Sequence, residues 1–158
     1  MSAPPLDAAR AWLAASDPDT GHAYRWWEHN PDGVAIMPCG RLFDVVEIYA
    51  PLTDRLLPHP SVTGPVIAFA DTRKLYVLVP TGTADSWHDD SSQCLGDGHY
   101  LAVPDPSRLA PLGAYWVQAP DGSGQLTTAA GLRSAIDEAV LLLAAPVDGS
   151  RTGAKESL

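Results

Sequence analysis

Residues 24–48, YRWWEHNPDGVAIMPCGRLFDVVEI, constrain the fold more than any other stretch of the chain. They begin inside a short helix predicted over residues 20–29, whose start Asp17 or Asp19 can cap. Asn30-Pro31 ends this helix, because the residue before a proline avoids the helical conformation. The pattern predicts a helix that carries two adjacent tryptophans near its C-terminal end.

Two strand-like apolar runs follow this helix. Residues 34–37 form the first and residues 42–48 the second, and residues 39–41 are expected to connect them tightly. Side chains alternate between the two faces of a strand. Asp44 and Glu47 lie three positions apart on the second run, so we expect them on opposite faces. That spacing argues against a simple pair of carboxylates.

The rest of the chain adds strands in the middle and helices at both ends. A hairpin is predicted over residues 66–79 around the turn Asp71-Thr72-Arg73, followed by strands at 100–103 and 114–118. Amphipathic helices are predicted at 6–15 and 126–143, with a short helical segment at 53–57. Thr127 or Thr128 can cap the last helix. The sequence therefore indicates a mixture of sheet and helix.

Length and composition indicate a single domain. Of the 158 residues 46% are apolar, which is enough for one core and hardly for two. We expect one domain over residues 1–147 and a disordered polar tail over residues 148–158. Apolar runs are too short for a bilayer span and the start lacks a signal-peptide pattern, so no membrane and a cytoplasmic location are expected. Cys39 and Cys94 are expected to be buried or idle thiols.

The charge balance bears on possible partners. The formal net charge is -9, and the chain has only ten lysines and arginines, scattered singly apart from Arg73-Lys74. Affinity for a nucleic-acid backbone depends largely on such cations, because they release counterions from the phosphates. General nucleic-acid binding is therefore disfavoured, and a protein partner fits the charge better.

Several short segments follow one another in a characteristic order: DPD at 17–19, YRWW at 24–27, NPD at 30–32, VAI at 34–36, Gly40, GPVIA at 64–68, YVLVP at 76–80 and GDGHYLAVP at 96–104. This order resembles the N-terminal domain of bifunctional DNA primase/polymerases of the archaeo-eukaryotic primase type, most closely its small actinobacterial versions. The resemblance extends over roughly residues 17–120. It implies an α+β fold with a mainly antiparallel mixed sheet flanked by helices, and metal-dependent nucleotidyl transfer.

The chain departs from the family's first catalytic motif. Active members carry Asp-x-Asp on the first acidic strand, where two carboxylates hold divalent metal ions. The equivalent residues here are Glu47-Ile48-Tyr49. One carboxylate remains, and a phenol cannot replace the other at neutral pH.

The second and third motifs are also altered or uncertain in register. A histidine that contacts the nucleotide phosphates is replaced by Leu75, after a turn that contains Arg73 and Lys74. These two cations are candidate phosphate contacts, and the alternative is a solvated hairpin tip. The third motif, an acid before a glycine-rich turn, falls on Asp89 or Asp90.

Two further clusters each allow a functional and a purely structural interpretation. Residues 87–90, WHDD, together with His99 could gather a metal ion, and the alternative is an exposed loop. Trp26 and Trp27 could stack on a nucleic-acid base, and the alternative is a helix end packed on a sheet.

Two functional hypotheses follow. The first is a degenerate, non-catalytic primase/polymerase-like domain that binds a protein partner or a nucleotide and needs no cofactor. The alternative is an active nucleotidyltransferase that holds Mg²⁺ or Mn²⁺ through Glu47 and Asp89 or Asp90, with Arg73, Lys74 and His99 on the nucleotide phosphates. The first requires fewer compensations, because two-metal catalysis weakens with each ligand removed.

Overall fold

Alternating apolar residues in the central strands build one five-stranded antiparallel sheet, and two remaining strands pair separately. The computed structural model describes residues 4–30 and 33–144. In chain order its elements are α1 (Pro4–Ala14), α2 (His22–His29), β1 (Val34–Pro38), β2 (Asp44–Ile48), α3 (Thr53–Leu56), β3 (Val66–Phe69), β4 (Lys74–Val79), α4 (Thr83–Ser86), β5 (Ser92–Leu95), β6 (Tyr100–Pro104), β7 (Ala114–Gln118) and α5 (Ala129–Ala144). The large sheet has the order β5-β2-β4-β3-β7, and β1 pairs with β6.

One face of the large sheet packs against α3 and α5. Val46 and Ile48 of β2 and Val77 of β4 are fully buried there, with Leu132 and Ile136 of α5. Removing five such side chains from water stabilises the fold by on the order of 10 kcal/mol before entropy is counted. This core fixes which face of β2 points toward the C-terminal helix.

The other face of the large sheet packs against β1, β6 and the two N-terminal helices. Val45 of β2 and Leu78 of β4 are fully buried there, beside Met37 of β1, Leu13 of α1 and Ala23 of α2. The protein thus has three layers, with the large sheet in the middle. Each face of β2 belongs to a different core.

Side chains from α2, from Asn30 directly after it and from β7 bond to carbonyl groups of the two-stranded sheet. Backbone acceptors without a strand partner are costly when they are buried, so side-chain donors stabilise such an edge. The paired tryptophan motif contributes one of them through Trp27. The bonds run from His22 Nε2 to Ile36 O (3.0 Å), Asn30 Nδ2 to Val34 O (3.4 Å), Trp27 Nε1 to Val103 O (3.0 Å) and Trp116 Nε1 to Pro104 O (2.9 Å).

The expected fold class is confirmed. The described residues form a single α+β unit whose strand pairs are all antiparallel and whose sheets are flanked by helices. The hairpin around Asp71-Thr72-Arg73 is present as β3 and β4. Among the described residues no helix is both long and apolar enough to cross a membrane. The tail expected over residues 148–158 lies outside the described part of the chain.

Some features of the structure go beyond the sequence prediction. A short segment connects β1 to β2 as expected, but the two strands lie in different sheets, because β1 pairs with β6 while β2 pairs with β4 and β5. The strand β5 and the short helix α4 were not predicted. The sequence of β5, SQCL, contains no β-branched or aromatic residue, so its strand character comes from pairing with β2.

Hydrogen bonds show which of the candidate residues cap the helices. Thr128 caps α5, since its hydroxyl accepts the N–H of Gly131 at 3.0 Å. Thr127 instead is fully buried and accepts the N–H of Gly64 at 2.9 Å. At α2 the helix cap itself carries no side-chain bond, and Asp19 accepts the N–H of Gly21 at 3.0 Å, just before the helix.

An ion pair joins α1 to the connection between β6 and β7. Arg10 donates from Nε to Asp105 Oδ1 at 2.8 Å and from Nη2 to Oδ2 at 3.1 Å, and Ser107 also bonds to this carboxylate. Burial alone raises the pKa of Asp105, but the hydrogen bonds from Arg10 and Ser107 outweigh it and hold that pKa below its usual value.

We expect Asp105→Asn to lower the free energy of unfolding at pH 7 by about 1 to 3 kcal/mol, because Arg10 loses its charged acceptor. A pKa that is lower in the folded state gives stability that is complete above about pH 4 and lost as the pH falls through the folded value. Acid unfolding curves of the variant should therefore be flatter below pH 4. Urea unfolding at several pH values measures both effects.

Asp54→Asn is the matched control, because Asp54 pairs with Arg73 on the surface and its side chain is 54% exposed. Exposed pairs contribute less than about 1 kcal/mol. Equal losses in the two variants would contradict the special role of the Arg10–Asp105 pair.

Candidate functional site

Glu47 is the carboxylate that remains from the first catalytic motif, and polar side chains from three strands of the large sheet surround it. Its cross-strand neighbours are Tyr76 on β4 and Gln93 on β5. Tyr49 lies two residues farther along the chain, and Lys74 lies two residues before Tyr76, so both share its face. We call Glu47, Tyr49, Lys74, Tyr76 and Gln93 the Glu47 cluster.

Hydrogen-bond donors occupy both oxygens of Glu47. The hydroxyl of Tyr49 donates to Oε1 at 2.8 Å, and the hydroxyl of Tyr76 donates to Oε2 at 2.6 Å. The ammonium of Lys74 lies 3.5 Å from Oε2 and also 5.5 Å from the centre of the Tyr49 ring. The side chains of Glu47 and Lys74 are 15% and 36% exposed, so the cluster reaches solvent.

These contacts set the ionisation of the cluster. Burial raises the pKa of Glu47, but hydrogen bonds from Tyr76 and Tyr49 and the charge of Lys74 outweigh it, so this pKa lies below its ordinary value. Burial and the bond to Glu47 raise the pKa of Tyr76. At neutral pH a carboxylate therefore faces two neutral phenols and one ammonium.

This arrangement is unfavourable for a divalent cation. Mg²⁺ and Mn²⁺ require several oxygen ligands that converge from one side, with carboxylates supplying negative charge. Here Tyr49 and Tyr76 already donate hydrogen bonds to the carboxylate, and Lys74 places a positive charge beside it. The cluster therefore offers a metal ion a single carboxylate, and Lys74 already compensates its negative charge.

Asp89 lies on the other side of the large sheet. It accepts hydrogen bonds from the hydroxyls of Ser91 and Ser92 at 2.7 and 2.5 Å, and pairs with Arg133 of α5 at 3.1 Å. Ser92 is paired with Ile48, whose side chain is buried in the core with α5. The structure therefore does not bring Asp89 and Glu47 together.

Contacts also explain how Asp89 stays ionised. Burial raises the pKa of Asp89, but bonds from Ser92 and Ser91 and the charge of Arg133 outweigh it, so this pKa is lowered. Arg133 at the same time lies 4.3 Å from the centre of the Trp87 ring, whose Nε1 donates to Ser92 at 3.0 Å. These contacts tie residues 87–92 to α5.

The other predicted site residues are dispersed. Arg73 is exposed at the hairpin tip and pairs with Asp54, while Leu75 is buried in the core against α5. Asp90 is exposed, and so is His99 in the turn before β6. Of the three candidate phosphate contacts, Lys74 alone belongs to the Glu47 cluster.

The two cysteines and the two tryptophans differ in how far the fold buries them. Cys39 and Cys94 are free thiols, and burial raises the pKa of each to about 12, so both stay protonated at neutral pH. Trp27 is tied to β6, whereas Trp26 keeps 39% of its surface exposed. Within residues 4–30 and 33–144, no three side chains of His, Cys, Asp or Glu are grouped so that they could hold a metal ion.

Sequence reasoning missed Tyr76 and Gln93. Alternation along β4 places Tyr76 on the face of Lys74, which is readable from the sequence. The register of β4 and β5 against β2 cannot be read from the sequence, because it depends on which apolar faces pack against each other in three dimensions.

In the comparison with known proteins, no family model, curated protein or solved structure matches this chain.

We expect Tyr76→Phe to raise the pKa of Glu47, because the shortest hydrogen bond to its carboxylate is lost while its burial remains. The free energy of unfolding at pH 7 should fall by about 1 to 2 kcal/mol. Titration of the Glu47 carboxyl carbon by NMR measures the pKa directly.

Tyr115→Phe is the control, because this substitution also removes a phenol hydroxyl. Tyr115 packs against the core with α5, on the face of the large sheet opposite Glu47. It should leave the pKa of Glu47 unchanged. A Tyr76→Phe variant whose Glu47 titrates as in the parent chain would contradict the assigned bond.

Proposed function

We propose that this chain is a degenerate primase/polymerase-like domain that acts as a non-catalytic binding or regulatory module. The observation that carries the proposal is the surroundings of Glu47. Lys74 and two phenols stand where an active centre needs further carboxylates, and Asp89 lies on the other face of the sheet. An ammonium 3.5 Å from the remaining carboxylate opposes a metal ion by direct repulsion.

The position of Leu75 gives further support. The family resemblance expects a phosphate-contacting histidine there, and Leu75 instead packs in the core against α5. Its cross-strand partner is Ile48, so its side chain lies on the face opposite Glu47. A histidine at this position would point away from any ligand bound at Glu47.

The charge of the chain favours particular partners for such a module. A net charge of -9 weakens attraction to a nucleic-acid backbone, so the expected partner is a protein or a single nucleotide. The alternative, an active Mg²⁺- or Mn²⁺-dependent nucleotidyltransferase, makes the opposite prediction about metal binding.

We expect no metal-dependent rise in melting temperature when MnCl₂ or MgCl₂ is titrated together with a nucleoside triphosphate. A ligand that binds the native state raises the melting temperature, so the experiment reports binding directly. Glu47→Ala should also show no metal-dependent rise in melting temperature. The same is expected of Asp137→Ala, which removes an exposed acid on α5. A metal-dependent rise that Glu47→Ala abolishes and Asp137→Ala keeps would overturn the proposal in favour of the enzyme.

We expect a Tyr49→Asp, Lys74→Gln double variant to gain Mn²⁺ binding. The first change places a second carboxylate two residues from Glu47 on the same face, and the second removes the repelling ammonium. Electron paramagnetic resonance of free Mn²⁺ measures the gain, with Lys74→Gln alone as the matched control. A folded double variant that binds no more Mn²⁺ than the parent would show that other features exclude the metal.

A further inference from the structure

A cleft of about 570 Å³ opens between α1, α2 and the connection that follows β6. Its volume lies within the range of small-molecule sites, which combine apolar walls with a few polar groups. Two aromatic side chains, Tyr24 and Trp27, and two arginines, Arg10 and Arg108, contribute to its lining. None of these residues belongs to the Glu47 cluster.

The two arginines of the cleft differ in their partners. Arg10 is paired with Asp105 through two hydrogen bonds. The guanidinium of Arg108 has no ion pair or hydrogen bond with any described residue, and its Nε is shielded from solvent as well. A guanidinium that is neither paired nor fully hydrated is costly, and an anion on its accessible terminal nitrogens would offset that cost.

The backbone holds Arg108 in place from both sides. Its N–H donates to Asp105 O at 2.9 Å, and its carbonyl accepts the N–H of Trp116 at 2.8 Å. Gly33 lies against its side chain: a Cβ on Gly33 would come within 2.8 Å of Arg108 Cδ, and the φ of Gly33 is +66°. The backbone of Arg108 is therefore fixed at the edge of the cleft, and Gly33 leaves the space that its side chain occupies.

The aromatic wall of the cleft is fixed as well. Trp27 is anchored through its Nε1 to Val103 O, and the ring of Tyr24 meets it edge-on at 5.8 Å between centres. A flat apolar group packs well against such rings. The cleft thus combines a cation on a fixed backbone with an anchored aromatic surface.

Acidic residues at the rim limit how much negative charge a ligand can carry. Asp7 and Glu28 also line the cleft, with side chains 62% and 76% exposed. Their repulsion disfavours a nucleic acid or a multiply charged phosphate more than it disfavours a single carboxylate. A carboxylate also matches the planar donor geometry of arginine.

We propose that this cleft binds a small planar carboxylate, whose charged group pairs with Arg108 and whose ring packs against Trp27 and Tyr24. The inference is independent of the proposed function, because it uses neither the Glu47 cluster nor a metal ion. Metal titration and carboxylate titration therefore fail or succeed separately.

The test is a titration of the full chain with benzoate, followed by ¹H–¹⁵N NMR, with benzamide as the neutral isostere. Benzoate should shift the indole N–H of Trp27 and the amide of Gly33 in a saturable way, and benzamide should not. Arg108→Met should weaken benzoate binding at least about tenfold, which corresponds to loss of one charge-assisted contact. Arg108→Lys should show an intermediate loss, because it keeps the charge and loses the planar fork.

Arg55→Met is the matched control, because Arg55 is exposed on α3 at the other face of the sheet and does not line the cleft. Glu28→Gln should tighten benzoate binding, since it removes a repelling charge without touching Arg108; this readout survives if Arg108→Met fails to fold. Inorganic phosphate should bind more weakly than benzoate at pH 7. Any one of four results would overturn the proposal. These are equal shifts from benzoate and benzamide, equal effects of Arg108→Met and Arg55→Met, tighter binding of phosphate than of benzoate, and no saturable shift with benzoate.

Discussion

Side-chain alternation along β2 governs how both cores of the protein form. This strand lies between β4 and β5 in the large sheet, so both of its edges are paired and both of its faces are covered. Val46 and Ile48 enter the core with α5, and Val45 enters the core with the N-terminal layer. A shift of one residue would exchange these faces and bury Glu47 among the apolar side chains of α5.

The same alternation separates the acids that a metal site would need. Glu47 faces Tyr76 and Gln93, whereas the next residue, Ile48, is paired with Ser92, which binds Asp89 on the opposite face. Each of the two carboxylates has its own hydrogen-bond donors and its own cation. Glu47 is compensated by phenols and Lys74, and Asp89 by serines and Arg133. Two separate, charge-compensated acids stabilise the sheet from its two sides.

In the N-terminal layer, the contacts that stabilise the fold also shape the cleft. Trp27 bonds to the backbone of β6, which fixes α2 on the small sheet. The same ring forms a wall of the cleft that contains Arg108. The Arg10–Asp105 pair holds α1 at the opposite wall, so the shape of the cleft follows from contacts that also stabilise the fold.

Local patterns predicted most of the individual elements. The β3–β4 hairpin, β7, α5 and the α2 stop at Asn30 follow from turn residues, alternation and helix periodicity, all of which act over a few residues. The strand β5 was missed because SQCL has little strand propensity of its own and becomes a strand only when β2 provides its partner. Kinship with primase/polymerase domains remains a prediction from motif order.

Patterns within the sequence were sufficient to predict a mixture of strands and helices, the opposite faces of Asp44 and Glu47, the single acid in Glu47-Ile48-Tyr49 and the acidic charge of the chain. Strand register and packing were needed to bring Tyr76 and Lys74 to Glu47 and Asp89 to Arg133, and to leave Arg108 in a cleft without a partner among the described residues. The reason is physical: periodicity fixes the face on which a side chain lies, but its neighbours depend on strand register and on packing between segments far apart in the chain.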